Sequence, residues 1–106
     1  MPSVIQVQTT TSSEQEAREI ADGLLEKRVA ACVQVHGPIH SRYWWQGKIE
    51  HSTEWLCCIK TTFGCYEDIE QLIRELHSYD EPEIIATDVI AGSAGYLDWV
   101  RTSIGK

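Results

Sequence analysis

Ser41-Arg-Tyr-Trp-Trp-Gln-Gly-Lys-Ile-Glu-His-Ser-Thr-Glu-Trp-Leu-Cys-Cys-Ile-Lys-Thr-Thr62 is the segment around which the chain is organised. Two aromatic and β-branched runs flank Gln46-Gly47. Such runs have strand composition, and a glycine supplies the positive φ of a tight turn. The stretch reads as one long β-hairpin with its tip at Gln46-Gly47, the turn type left open by the weak Gln-Gly signal. Pairing Trp45 with Lys48 sets Trp44 against Ile49, Tyr43 against Glu50 and Arg42 against His51.

By the two-residue period, Trp55, Cys57 and Ile59 share one side of the returning strand, and Leu56 and Cys58 take the other. Tyr43 and Trp45 share a face opposite Trp44. A hairpin packed under a single layer of helices should keep its second face polar. This one carries apolar side chains on both, so a second cover is expected. Another copy of the chain is the natural candidate.

Outward from the hairpin, Val4 to Thr9 alternates as a first strand. Ser13 and Glu16 fit a capping box for a helix over Glu14 to Arg28, with Ala17, Ile20, Ala21, Leu24 and Leu25 on one face. Lys27 and Arg28 close its last turn, where positive charge suits the helix dipole. Ala31 to Val35 opens the second strand, and Gly37-Pro38 predicts a bulge or kink before it resumes at Ile39. The third strand returns to Thr61. Thr62 then caps a second helix striped by Phe63, Tyr66, Ile69, Leu72, Ile73 and Leu76. Pro82 ends the helical region, and Glu83 to Ile90 reads as a fourth strand. Gly92-Ser93 caps a third helix with Tyr96, Leu97, Val100 and Ile104 on its apolar face and Trp99 near the edge.

The order βα-ββ-αβ plus a terminal helix is the split βαβ, ferredoxin-like α+β arrangement. It predicts helices on one sheet face and a bare second face. A chain of 106 residues suits a single domain, residues 1–106. The formal net charge of −7 argues against nucleic acid or anionic membranes as partners. No apolar run approaches the ~20 residues of a membrane span. Met1-Pro2-Ser3 opens no charged or apolar leader, so a secretory signal is not expected. Cys32, Cys57, Cys58 and Cys65 form no Cys-x-x-Cys pair and no disulfide framework. Reduced thiols in a cytoplasmic protein are the simplest reading.

Signatures of common chemistries are missing: no Gly-rich phosphate loop, no His-Glu-x-x-His, no nucleophile elbow. His40, Arg42 and His51 share a hairpin face, and a solvated face is the plainer reading because Arg42 repels a cation. His77-Ser-Tyr-Asp-Glu-Pro-Glu83 gathers an imidazole, a phenol and three carboxylates between helix and strand. Such connections often carry function. His77 serves equally well as a dipole partner at a helix end, so the residues alone leave both readings open.

Ala31-Cys32-Val33, Ser41-x-Tyr43-x-Trp45-x-Gly47-Lys48-Ile49-Glu50, Ile59-Lys60-Thr61, His77-x-Tyr79-x-x-Pro82-Glu83-Ile84 and Tyr96-Leu97-x-Trp99 occur in this order. Together they resemble the divalent-cation tolerance protein family, CutA, over nearly the whole chain. The resemblance implies a ferredoxin-like fold, a compact homotrimer with architectural kinship to the PII signalling proteins, and binding of copper(II) or another divalent cation. It carries no settled enzymatic activity. It also implies His77 and Glu83 as metal ligands, the latter or a neighbour's carboxylate being second, with Tyr43, Trp45, Lys60 and Tyr79 shaping an intersubunit cleft. Gln8 stands where some bacterial members have a ligand Cys, and Leu76 where they have a second His. Glu81 replaces the usual apolar residue before Pro82. The resulting expectation is weak copper binding by a homotrimer. The rival readings are a PII-like small-molecule sensor, with Lys60 holding an anion, and a structural or anchoring trimer.

Overall fold

The structure is a computed structural model that describes residues 2–105. Four strands form one antiparallel sheet: β1 (Val4–Thr11), β2 (Cys32–Trp45), β3 (Lys48–Thr62) and β4 (Ile85–Asp88), in the order β2-β3-β1-β4. Three helices accompany it: α1 (Glu14–Glu26), α2 (Tyr66–Leu76) and α3 (Ala94–Ser103). This is the ferredoxin-like order expected of βα-ββ-αβ.

The hairpin pairs as the sequence predicts. Trp45 faces Lys48, Trp44 faces Ile49, Tyr43 faces Glu50 and Arg42 faces His51. Gln46 (φ 51°) and Gly47 (φ 79°) both adopt the left-handed conformation, which makes the tip a type I′ turn matched to the strand twist. The register shifts between His36 and Ile39, placing the bulge at Gly37-Pro38, where proline cannot donate to the ladder.

Period-two alternation sorts the sheet into two faces. Ile5, Val7, Cys57 and Ile59 are buried against Ala17, Ile20 and Leu24 of α1 and Ile69 and Ile73 of α2. These side chains form the main core, because each helix turns its 3.6-period apolar stripe onto that face. The second face carries Gln6, Gln8 and Thr10 of β1 and Glu54, Leu56, Cys58 and Lys60 of β3. It is not bare, as the sequence reading had it. Val4 and Val100 are buried yet stand outside the main core, and α3 packs against β1 and β3. α3 therefore covers one end of the second face. The rest of that face, and the hairpin beyond, stay open: Trp44 is 73% exposed, Trp45 59% and Ile49 58%.

Several boundaries differ from expectation for identifiable reasons. β1 runs on to Thr11 because β3 offers partners as far as Trp55. α1 ends at Glu26 rather than Arg28, since Arg28 turns left-handed (φ 57°) and its N–H bonds Leu25 O. Thr62 ends β3 and precedes a 3₁₀ turn, Phe63–Cys65, so Phe63 leaves the helical stripe and is 68% exposed. Leu25 and Leu76 are also partly exposed, at 40% and 43%, and Leu72 is half-buried. β4 is only four residues long, an edge strand whose partner β1 pairs with it from Ile5 to Gln8. Val89 and Ile90 fall outside it, and Ser93 precedes α3 without a side-chain cap bond.

All four cysteines are free. Burial first, then the neighbouring Cys58 and Glu16, push the Cys57 thiol up to about 11. Because the thiolate is the nucleophile, alkylation of native protein at neutral pH should modify Cys57 last. Alkylation after denaturation should modify four thiols, as read by intact mass. Early loss of Cys57 would contradict this burial.

Candidate functional site

The His77–Glu83 segment folds against the ends of β1 and α1 and reaches the second face at Glu54. The His77 side chain has no solvent exposure. Its Nδ1 accepts the Tyr79 backbone N–H at 3.1 Å, and its Nε2 lies 2.7 Å from Thr10 O. These partners select the tautomer: the proton sits on Nε2 and is donated to the carbonyl, and the lone pair on Nδ1 is taken. The Tyr79 ring packs on the imidazole with centroids 4.8 Å apart.

Two carboxylates complete the junction, and neither stood out in the sequence as a site residue. Glu16 was legible only as half of a capping box. Ser13 Oγ does accept Glu16 N–H at 3.1 Å, but the Glu16 carboxylate turns outward to the His77 turn. It accepts Ser78 N–H at 2.6 Å and Ser78 Oγ–H at 3.1 Å, and lies 3.7 Å from His77 Nδ1. Glu54 is 7% exposed and accepts the Tyr79 hydroxyl at 2.8 Å. Burial, then that hydrogen bond and the Glu54 charge, raise the Tyr79 phenol well above its ordinary range, so it stays a donor.

Burial alone would raise the Glu16 carboxyl, but the hydrogen bonds from Ser78 outweigh it and hold the group below the ordinary carboxylate range. A carboxyl depressed by folding stabilises the protein above its unfolded value, about 4.3. That stability is lost as pH falls through the lower folded value. Glu16→Gln should therefore flatten the acid limb of a stability–pH curve measured by urea unfolding. An unchanged acid limb would show that Glu16 is not held this way.

The other predicted site residues are spread along the second face. Glu83 is exposed, and its Oε2 accepts Gln8 Nε2 at 2.9 Å. Lys60 Nζ donates to Gln34 Oε1 at 2.7 Å. Tyr43 and Trp45 lie toward the hairpin tip, 42% and 59% exposed. Tyr43 pairs with Glu50, ten residues along β3 from Lys60, or about 33 Å at strand rise. One chain thus brings Tyr43, Glu54 and Tyr79 to the same end of this face and leaves Lys60 far from them. His40, Arg42 and His51 are exposed on the hairpin.

A divalent cation does not fit the donors of a single chain. Both His77 nitrogens are committed, and the Glu83 carboxylate is bonded to Gln8. Among the described residues no group of three or more His, Cys, Asp or Glu side chains converges to hold a metal ion. Within one chain, His77 and Glu83 are each engaged with other partners.

The split βαβ sheet, the extended hairpin and the buried His77 junction define a small ferredoxin-like α+β protein. The chain belongs to the CutA1 divalent ion tolerance protein family, whose model matches residues 5–103. Divalent-cation tolerance protein CutA of Thermus thermophilus is 40% identical over 96 residues, covering 91% of this chain and 93% of that protein. The solved structure of the divalent cation tolerance protein (Cut A1) from Thermus thermophilus superposes with a TM-score of 0.94 at 38% identity, covering 96% and 99% of the two chains. That of the periplasmic divalent cation tolerance protein CutA from Archaeoglobus fulgidus gives 0.93 at 36% identity, covering 96% and 99%.

Proposed function

We propose that this protein acts in divalent-cation tolerance as a homotrimer, and that any copper(II) it takes up is bound weakly, through clefts between subunits. The observation that carries the trimer is the open second face, continued by a hairpin with Trp44, Trp45 and Ile49 in solvent. Apolar exposure of this kind marks an association surface. The relatives' names supply the link to divalent cations. Weak binding follows from the donors. His77 ligates only by giving up the Tyr79 N–H, Glu83 only by giving up Gln8, and useful copper affinity needs several nitrogen or sulfur ligands.

The role is one of binding rather than catalysis. An imidazole that donates to a backbone carbonyl and accepts a backbone N–H is not placed to move a substrate proton. Four unpaired thiols go with a cytoplasmic setting.

Light scattering should give about three times the 12.0 kDa chain mass, and a stable monomer at micromolar concentration would defeat the trimer. Calorimetric titration with copper(II) should show no saturable binding at micromolar metal. A saturating isotherm there would refute weak binding.

A further inference from the structure

We propose that Glu54 of one subunit pairs with Lys60 of the next, so that the carboxylate beneath Tyr79 is completed by a neighbouring copy. The inference rests on the trimer reading above and adds the contact that makes the ring. Glu54 and Lys60 both lie on the second face, since Trp55 and Ile59 between them pack into the core on the first. Among the described residues neither has an opposite charge beside it. Glu54 is bonded to the Tyr79 hydroxyl and Lys60 to the Gln34 amide oxygen, and among the described residues neither forms an ion pair. They cannot meet in one chain, for six residues of β3 separate them by about 20 Å.

A carboxylate that is 7% exposed with one neutral donor is under-compensated, because a buried charge calls for an opposite charge as well as hydrogen bonds. A closed ring of three needs two different, mutually complementary patches on each subunit. The second face offers that: an acidic patch at Glu54 and a basic one at Lys60. Lys48 also lies on this face, but it is exposed at the hairpin tip, where a rim charge contributes little. Lys60 is half-buried, and Gln34 already holds its amino group against the sheet.

The test is a double-mutant cycle on subunit dissociation of the full chain, followed by light scattering over a dilution series in urea. Lys60→Met and Glu54→Gln should each raise the dissociation constant about tenfold or more, with the double variant little worse than either single. Lys48→Met should leave it unchanged. Far-UV circular dichroism checks the fold of each variant, and if Glu54→Gln does not fold, Lys60→Met decides alone. A trimeric wild type whose Lys60→Met variant dissociates as it does overturns this pairing and leaves the trimer standing. Additive losses in the cycle, or an effect of Lys48→Met equal to that of Lys60→Met, overturn it too. A monomeric wild type overturns both.

Discussion

Replacing His77 with alanine lowers the unfolding free energy by about 2–4 kcal/mol, the range for a buried group whose loss leaves a cavity and unpaired polar partners. The imidazole is fully buried, so its removal leaves a void beside Tyr79. It also strips the Tyr79 N–H of its acceptor and Thr10 O of its donor. The Tyr79 bond orders the turn, and the Thr10 bond fastens the chain after α2 to the end of β1. With the turn loosened, Ser78 no longer holds the Glu16 carboxylate at short range, and Tyr79 no longer covers Glu54. Urea unfolding of wild type and variant measures the loss. A change under about 1 kcal/mol, no more than a single net hydrogen bond, would mean that His77 does not anchor the junction. Far greater loss of copper(II) binding than of stability would return His77 to the role of ligand.

Gly37→Ala should destabilise by about 1–3 kcal/mol, the usual penalty for forcing extra volume into a packed site. A Cβ at this position would lie 2.5 Å from Trp55 Cδ1 and 2.8 Å from Trp55 Cγ. The backbone oxygen of Glu54 would be 3.1 Å away. The indole packs against the main core and a backbone oxygen cannot swing aside, so relief has to come from the bulge. There the strand register shifts between His36 and Ile39, and the shift sets which hairpin side chains share the face of Glu54. The loss of stability should therefore come with altered exposure of the hairpin tryptophans, read by fluorescence. Wild-type stability with unchanged fluorescence would show that the indole yields freely.

Local chemistry made much of this protein legible before folding. The hairpin register follows from a two-residue turn between strand-forming runs, because the turn fixes the pairing and pairing fixes the faces. The core stripes of α1 and α2 follow from 3.6-residue periodicity. Boundaries slipped where a tertiary contact overrode a local signal. Arg28 leaves α1 with its carbonyl bonded to Gly105 N–H, and Phe63 leaves the α2 stripe for a 3₁₀ turn with its N–H bonded to Ser3 O.

The site divided along the same line. The composition of His77–Glu83 marked the segment, since an imidazole, a phenol and carboxylates crowd one connection. Which atoms meet there was beyond sequence. Glu16 reads as a helix cap from its neighbours, yet its carboxylate serves Ser78, 62 residues away. Glu54 reads as one more polar strand residue until Tyr79 is laid over it. Likewise α3 carries an amphipathic pattern that does not say which sheet face it covers, and it takes the second. The fold class, the hairpin and its pairing thus follow from turn chemistry and periodicity, which act between near neighbours. Folding alone settles that His77 is an anchor with both nitrogens engaged and that, among the described residues, Glu54 has no cation beside it. Those facts depend on contacts between distant segments, which no local period encodes.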